Sequence, residues 1–410
     1  MKSRPPARPP VHAAAGSAGE VFTAFLRLGL TSFGGPVAHL AYFRREFVER
    51  RAWMNESQFA QLLALCQFLP GPASSQLGAS IGLLRAGWAG ALAAFLAFTL
   101  PSAVLLFALA AWLPSVSGPV GDAALHGLKL VALAVVAQAV LGMARPLCPD
   151  LSRRAVAVAA AALVLTAGQT GVQLLAVALG AVAGLVLCRG VPAVPGAGLP
   201  TLRHGPALGG ALLAVFALLL VGLPLLAAAH GGAGLLSVID AFYRAGALVF
   251  GGGHVVLPWL EAAVVGPGWV STDDFLAGYG AAQAVPGPMF TLAAYLGARL
   301  PGSAGGIVGA SVALGAIFLP GLLLVTGVLP LWRAVAGRAV AARAIAGANA
   351  AVVGLLGAAL YDPVWTGAVR GPMDIAIALA GVALLVVGRV APLLVVAWCV
   401  AASVVGAFWS

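Results

Sequence analysis

The sequence predicts an all-α polytopic membrane protein, an inverted-topology repeat of two homologous halves with broken, re-entrant helices. Three observations carry this expectation. The first is composition: of 410 residues, 61% are hydrophobic and only 8% are charged, with a mean hydropathy of +1.04. Soluble domains carry about 25% charged residues, so the long apolar runs belong in a bilayer. The second is an interruption that occurs twice. Gln67-Phe68-Leu69-Pro70-Gly71-Pro72 returns as Gln283-Ala284-Val285-Pro286-Gly287-Pro288, each inside an apolar run. Proline lacks the amide donor and clashes with the preceding turn, while glycine relaxes the backbone, so neither run continues as one helix. The third is a reversal of loop charge between the copies.

The duplication extends beyond these breaks. Phe33-Gly34-Gly35 recurs as Phe250-Gly251-Gly252, 217 positions later, and Trp53, Phe59, Gln67 and Pro70 recur as Trp269, Phe275, Gln283 and Pro286, 216 positions later. In chain order, residues 1–20 are rich in Pro, Ala and Arg, lack the apolar core of a cleavable signal, and read as a disordered tail. Val21 to Leu40 is apolar but broken at Gly34-Gly35-Pro36, and Arg44, Arg45, Arg50 and Arg51 follow in a basic loop. Asn55, with Gln58 three residues on, signals a capped helix that runs into the first Pro-Gly-Pro. A short arm from Ala73 to Leu84 leads to Arg85. Spans are expected at 87–113, 123–143, 154–167 and 173–188, which completes a first repeat over 21–188. Residues 189–234 form a linker carrying an extra span, 208–230, with no counterpart in the first half. The second repeat, 235–410, has broken segments to Arg299 and spans near 305–331, 345–360, 373–390 and 391–408.

Loop 44–51 is Arg-rich, whereas its counterpart 261–274 holds Glu261, Asp273 and Asp274 and no Lys or Arg. Loop 113–124 has no Lys or Arg, whereas its counterpart holds Arg333, Arg338 and Arg343. Under the positive-inside rule the halves insert upside down relative to each other, and the extra span supplies the inverting crossing. For 44–51 and 113–124 to face opposite sides, the segment around Pro70 must enter and return. Arg299 fits this scheme poorly. The net charge of +10 lies in short loops between apolar spans and reads as a topology signal, so no nucleic-acid partner is expected. Cys66, Cys148, Cys188 and Cys399 have no metal or redox spacing.

The strings Leu28-Gly29-Leu30-Thr31-Ser32-Phe33-Gly34-Gly35-Pro36, Phe43 to Trp53, and Leu65-Cys66-Gln67-Phe68-Leu69-Pro70-Gly71-Pro72 resemble the chromate ion transporter family. So do Val249 to Pro258 and Gly278 to Pro288, so the resemblance covers both halves, as in the long two-domain members. It implies a secondary transporter of the bacterial inner membrane that expels chromate, is driven by the membrane gradient and is competed by sulfate. The expected partners are that oxyanion, the lipid bilayer and a second copy in a homodimer, with no cofactor. Composition and spacing alone stop at an inverted-repeat transporter.

Interrupted segments at corresponding positions of two halves point to a transporter's binding site. A helix restarting after Pro72 aims the free amides of Ala73, Ser74 and Ser75, and the positive end of its dipole, at the break. The Ser74 and Ser75 hydroxyls add donors, whereas the second restart offers the more apolar Met289, Phe290 and Thr291. Gly71 and Gly287 open the backbone, and Gln67 and Gln283 stand three residues before the breaks. The bland alternative is a kink satisfied by neighbouring helices. Gly34-Gly35 and Gly251-Gly252-Gly253 are either a second pair of breaks or sites of close helix contact. His254 is either a ligand and proton carrier or a hydrogen-bonded structural residue. Lys129 is the sole lysine beyond the tail and lies in an apolar span, where a cation costs on the order of 3 kcal/mol. Either a bound dianion offsets that cost or the side chain snorkels to the surface. Its counterpart, Asn349, is neutral. Arg85 either guides anions or marks the membrane boundary.

All twelve acidic residues are assigned to the tail, loops or span ends, which leaves exchange, the potential, or a proton on His254 or the anion as the coupling routes. Two competing functions have different requirements. A lipid-pyrophosphate phosphatase needs an acid, base or metal-binding carboxylate beside the phosphate, which the Pro-Gly-Pro-Ala-Ser-Ser segment lacks. An anion channel is the other reading, and sequence distinguishes it poorly from a transporter.

Overall fold

The computed structural model describes residues 16–115, 118–167, 171–191, 205–230, 234–332 and 338–408, and every regular element among them is helical. The first copy comprises α1 (Ala18–Thr31), α2 (Gly35–Arg44), α3 (Glu56–Phe68), α4 (Ala73–Trp112), α5 (Pro119–Leu147), α6 (Leu151–Ala167) and α7 (Val172–Leu187). After α8 (Pro206–His230), the second copy comprises α9 (Leu235–Ala247), α10 (Val256–Val264), α11 (Thr272–Ala282), α12 (Leu292–Ala298), α13 (Gly306–Val328), α14 (Ala339–Ala359), α15 (Pro372–Val386) and α16 (Pro392–Ala407). Each helix of the first copy has its counterpart in order, with α12 and α13 together matching α4, and α8 stands alone.

The first copy opens with two helical hairpins that enter and return. In α1/α2, the Phe25 ring stacks on Phe47 at 4.8 Å and meets Phe43 edge-on at 5.4 Å, which folds the second arm back along the first. In α3/α4, the Arg85 guanidinium lies 5.1 Å from the Trp53 ring, so the chain leaves the hairpin at the end where it entered. Arg85 also pairs with Glu20 at 3.1 Å, and Gly16 N donates to Arg85 O at 3.0 Å. Arg85 is thus a clasp at the hairpin base. Arg299, the residue the charge pattern left unexplained, has the same role in α11/α12, where it pairs with Asp274 at 2.6 Å. α4 breaks at Ala86 and Gly87, and its run from Trp88 to Trp112 is long enough, at ~1.5 Å per residue, to cross a ~30 Å bilayer core.

That run has the Arg-rich segment at one end. At the other end Leu113 lines a cavity with Ser271, Asp273 and Asp274. The basic segment of the first copy and the acidic segment of the second therefore lie at opposite ends of the molecule, as the loop charges imply. Close backbone contacts agree. Gly184, near the end of α7, meets Arg343 and Gly347 near the start of α14, while Gly127, early in α5, meets Val400, midway along α16. Arg44, Arg51, Arg85, Arg343 and Arg389 share the basic end, and Asp122, Asp273, Asp274 and Asp374 share the acidic one.

Several expectations need correction. The tail ends before residue 16: Ser17 Oγ accepts from Glu20 N at 3.1 Å and caps α1, and residues 1–15 lie outside the described set. Residues 45–50 form a π-helical turn rather than a loop. Their charge is partly neutralised, since Arg44 pairs with Glu49 and Glu56, and Arg50 and Arg51 pair with Glu46. Burial pushes the Glu46 carboxyl up, but hydrogen bonds from Arg51 and Arg50 outweigh it and hold the group below the usual carboxylate range. Asp240 is buried inside α9, bonded twice to Arg244, so not every acidic residue lies in a tail, loop or span end. The expected Asn55–Gln58 capping box is present, with bonds of 2.9 and 3.0 Å. Arg333 lies outside the described residues.

Candidate substrate site at the meeting of four hairpin tips

The two copies exchange hydrogen bonds at their breaks. Gly71 N donates to Val249 O at 2.7 Å, and Gly287 N donates to Ser32 O at 3.0 Å. Gly71 corresponds to Gly287 and Ser32 to Val249, so each Pro-Gly-Pro tip docks on the other copy's glycine-rich tip. This reciprocity is that of a two-fold relation between the halves. Gly71 and Gly287 have φ of +117° and +108°, a region that favours glycine, and both approach the other copy's long helix. A Cβ on Gly71 would lie 3.1 Å from Gly321 Cα, and one on Gly287 would lie 2.7 Å from Ser102 Oγ. Gly34, Gly35, Gly251 and Gly252 also have positive φ, which makes these segments open breaks rather than contact sites within a continuous helix. Gly253 instead begins a 3-10 turn.

Around this junction the copies differ. The amides of Ala73, Ser74 and Ser75 precede the first intrahelical bond, which Gln76 N makes to Pro72 O at 2.9 Å, and no side chain caps them. Ser74 and Ser75 are buried, and the Ser75 hydroxyl has no partner among the described residues. In the second copy Thr291 Oγ1 is spent on Pro288 O at 2.6 Å, between buried Met289 and Phe290. The expected pair of flanking glutamines does not form. Gln67 is exposed, and Gln283 Nε2 bonds Tyr279 O in its own helix at 3.2 Å. Gln76 takes the place at the tip, with Nε2 donating to Pro70 O at 2.8 Å and Gly321 O at 3.2 Å, and Oε1 unsatisfied.

His254 is not alone. Its Nδ1 lies 2.8 Å from Tyr279 Oη, and a Cβ on Gly35 of the other copy would sit 3.8 Å from its Nε2. His39, which sequence reasoning passed over, is buried beside the Gly287 tip, with Nε2 3.2 Å from Ser32 O and Nδ1 unsatisfied. Nothing in its neighbourhood in sequence marks it, because its place beside the tip follows from the fold alone. Asn349 lies close to Gly251, with its Oδ1 buried and unsatisfied.

Lys129 is elsewhere. It is buried, but Nζ pairs with Asp273 at 2.5 Å at the acidic end. There it lines a cavity of about 560 Å³ with Asp122 and His126 of α5, Asp273 and Asp274 of α11, Arg299 and Arg370. His126 Nε2 is held by Asp374 at 2.8 Å. Lys129 therefore neither reaches the tips nor snorkels unpartnered.

Paired re-entrant hairpins that meet at the molecular centre, flanked by apolar helices long enough to cross a bilayer, define an internally duplicated, multi-pass membrane transport protein. The chain belongs to the chromate transporter family, which matches residues 19–185 and again 236–406. It is 31% identical to a chromate transport protein of Pseudomonas aeruginosa over 86% of this chain and 82% of that one. It is also 31% identical to a probable chromate transport protein of Synechococcus elongatus (73% and 72% covered), and 29% identical to a chromate transport protein of Cupriavidus metallidurans (81% and 79% covered). No solved structure matches the chain.

Proposed function

We propose that the protein is a secondary transporter that exports chromate, with sulfate as a competitor, across the bacterial inner membrane. The basic end, with Arg44, Arg51, Arg85, Arg343 and Arg389, faces the cytoplasm under the positive-inside rule. The observation that carries this reading is the reciprocal docking of Gly71 on Val249 and Gly287 on Ser32, which puts two duplicated breaks at one central point. A tetrahedral dianion there takes hydrogen bonds from the amides of Ala73 to Ser75 and from the Ser75 hydroxyl, at the positive end of a helix dipole. The family membership and the names of the three relatives support chromate as the cargo. A homodimer in the bilayer is compatible with the apolar outer surfaces of α6, α7 and α8 but is not needed for the site.

Inside-out vesicles carrying the full chain test this. Chromate uptake that saturates, is competed by sulfate and depends on an imposed gradient is the expected result. Uptake no greater than in vesicles lacking the protein sinks the proposal, and non-saturating flux favours a channel.

A further inference from the structure

The cavity at the acidic end is outside the junction of tips, and it holds a buried cation with a replaceable partner. Lys129 is 4% exposed and carries three donors, yet among the described residues its one ion-pair partner is Asp273. The Asp273 side chain is 67% exposed, in the first turn of α11, where Ser271 Oγ caps the Asp274 amide at 3.1 Å and, among the described residues, no side chain caps those of Thr272 and Asp273. Asp274 beside it is already held by Arg299 and by the Tyr295 hydroxyl, both at 2.6 Å, so it does not compete for Lys129. The Arg370 guanidinium, exposed on the wall, has no ion pair among the described residues. The cavity thus contains a lysine, a free guanidinium, a helix N-terminus and two exposed carboxylates: Asp122 of α5, which has no ion pair among the described residues, and Asp273, which can swing from Lys129 into water.

We propose that this cavity is the outer oxyanion site, where Asp273 and a tetrahedral dianion exchange on Lys129. The inference rests on the export reading above. On arrival the dianion takes the ammonium and the uncapped amides at the start of α11 while Asp273 is hydrated. The carboxylate's return then releases the anion outward, so that Asp273 is a built-in competitor that keeps outer affinity low. Exchange at Lys129 costs little because one partner always compensates the buried charge.

Sulfate binding to the purified full-length protein tests the exchange. Asp273→Asn removes the competitor, and sulfate is expected to bind about tenfold more tightly, the equivalent of one hydrogen bond to a charged group. Sulfate in the lumen of inside-out vesicles, which contacts this end, should correspondingly inhibit chromate uptake at lower concentration. Unchanged or weaker binding by the folded variant overturns the proposal. Should Asp273→Asn fail to fold because Lys129 is left unpaired, the doubly neutral Lys129→Gln/Asp273→Asn protein decides. It is expected to bind sulfate more weakly than wild type, and wild-type or tighter binding overturns the exchange. Absence of chromate uptake by the unmodified protein would count against the transport reading, whereas normal uptake with unaltered sulfate binding by Asp273→Asn counts only against the exchange.

Discussion

The two Pro-Gly-Pro tips share a backbone and differ in what they present. Both place a positive-φ glycine against the other copy's long helix, and both donate that glycine's amide across the junction. Beyond the second proline, however, the first tip offers buried serines and an unsatisfied Ser75 hydroxyl, while the second encloses Thr291 in a bond to its own backbone. The long helices they meet differ as well: the Gly71 tip abuts the bare backbone of Gly321, and the Gly287 tip abuts the Ser102 side chain. The duplication has kept the geometry that brings the tips together and released the side chains to divide the work. On the proposed reading, one tip binds the anion and the other braces it.

The comparison breaks most severely if either glycine is changed. Gly71→Ala and Gly287→Ala each force an L-residue into left-handed backbone, at about 1–2 kcal/mol, and add a collision. For Gly71 the obstacles are Gln76 Nε2 at 2.9 Å and backbone at 3.1 Å, so chromate uptake should fall more than about tenfold with a lowered melting temperature. In Gly287→Ala the obstacle is the Ser102 side chain, so adding Ser102→Gly should recover part of the rate. Wild-type uptake by Gly71→Ala would remove the tip from the mechanism.

The serines give the next effect. Ser74→Ala or Ser75→Ala should raise the half-saturating chromate concentration by about ten- to a hundredfold, because a hydrogen bond to a charged group is worth roughly 1.5–3 kcal/mol. Thr291→Ala should leave affinity nearly unchanged and cost about 1 kcal/mol of stability, the value of an ordinary hydrogen bond. A large affinity loss confined to Thr291→Ala would reverse the division of labour between the tips.

The smallest functional change, and the sharpest test of inversion, comes from surface cysteines. Arg45→Cys and Pro267→Cys lie on exposed positions in corresponding segments of the two copies, and the four native cysteines are buried. Both variants should transport normally, since exposed substitutions usually change stability by less than about 0.5 kcal/mol. An impermeant thiol reagent on intact cells should label the Pro267→Cys protein and spare the Arg45→Cys protein. Equal labelling of the two would defeat the inverted arrangement.

Apolar spans, the duplicated breaks and the reversal of loop charge were legible in the sequence because each is a local property: hydropathy, proline chemistry and arginine placement need no neighbours in space. Arg299 looked like an exception for the same reason. As a charge in a loop it pointed the wrong way, and its pairing with Asp274 shows it to be a clasp matching Arg85. Gln67 and Gln283 do not flank the breaks as their spacing implies, because a side chain's direction depends on the rotation of its helix against partners far along the chain. That rotation brings Gln76 to the tip and leaves Gln67 exposed.

By itself, then, the sequence determined a membrane-embedded all-helical chain, its division into two copies, where its helices break and which segments of the copies oppose each other. The tertiary structure alone decided which groups meet at those breaks. Gly71 found Val249, Gly287 found Ser32, His254 found Tyr279 and Lys129 found Asp273 across separations that no local pattern encodes. The physical reason is that a buried donor or charge must be satisfied, and its partner is whichever group the packing of the whole bundle carries within reach.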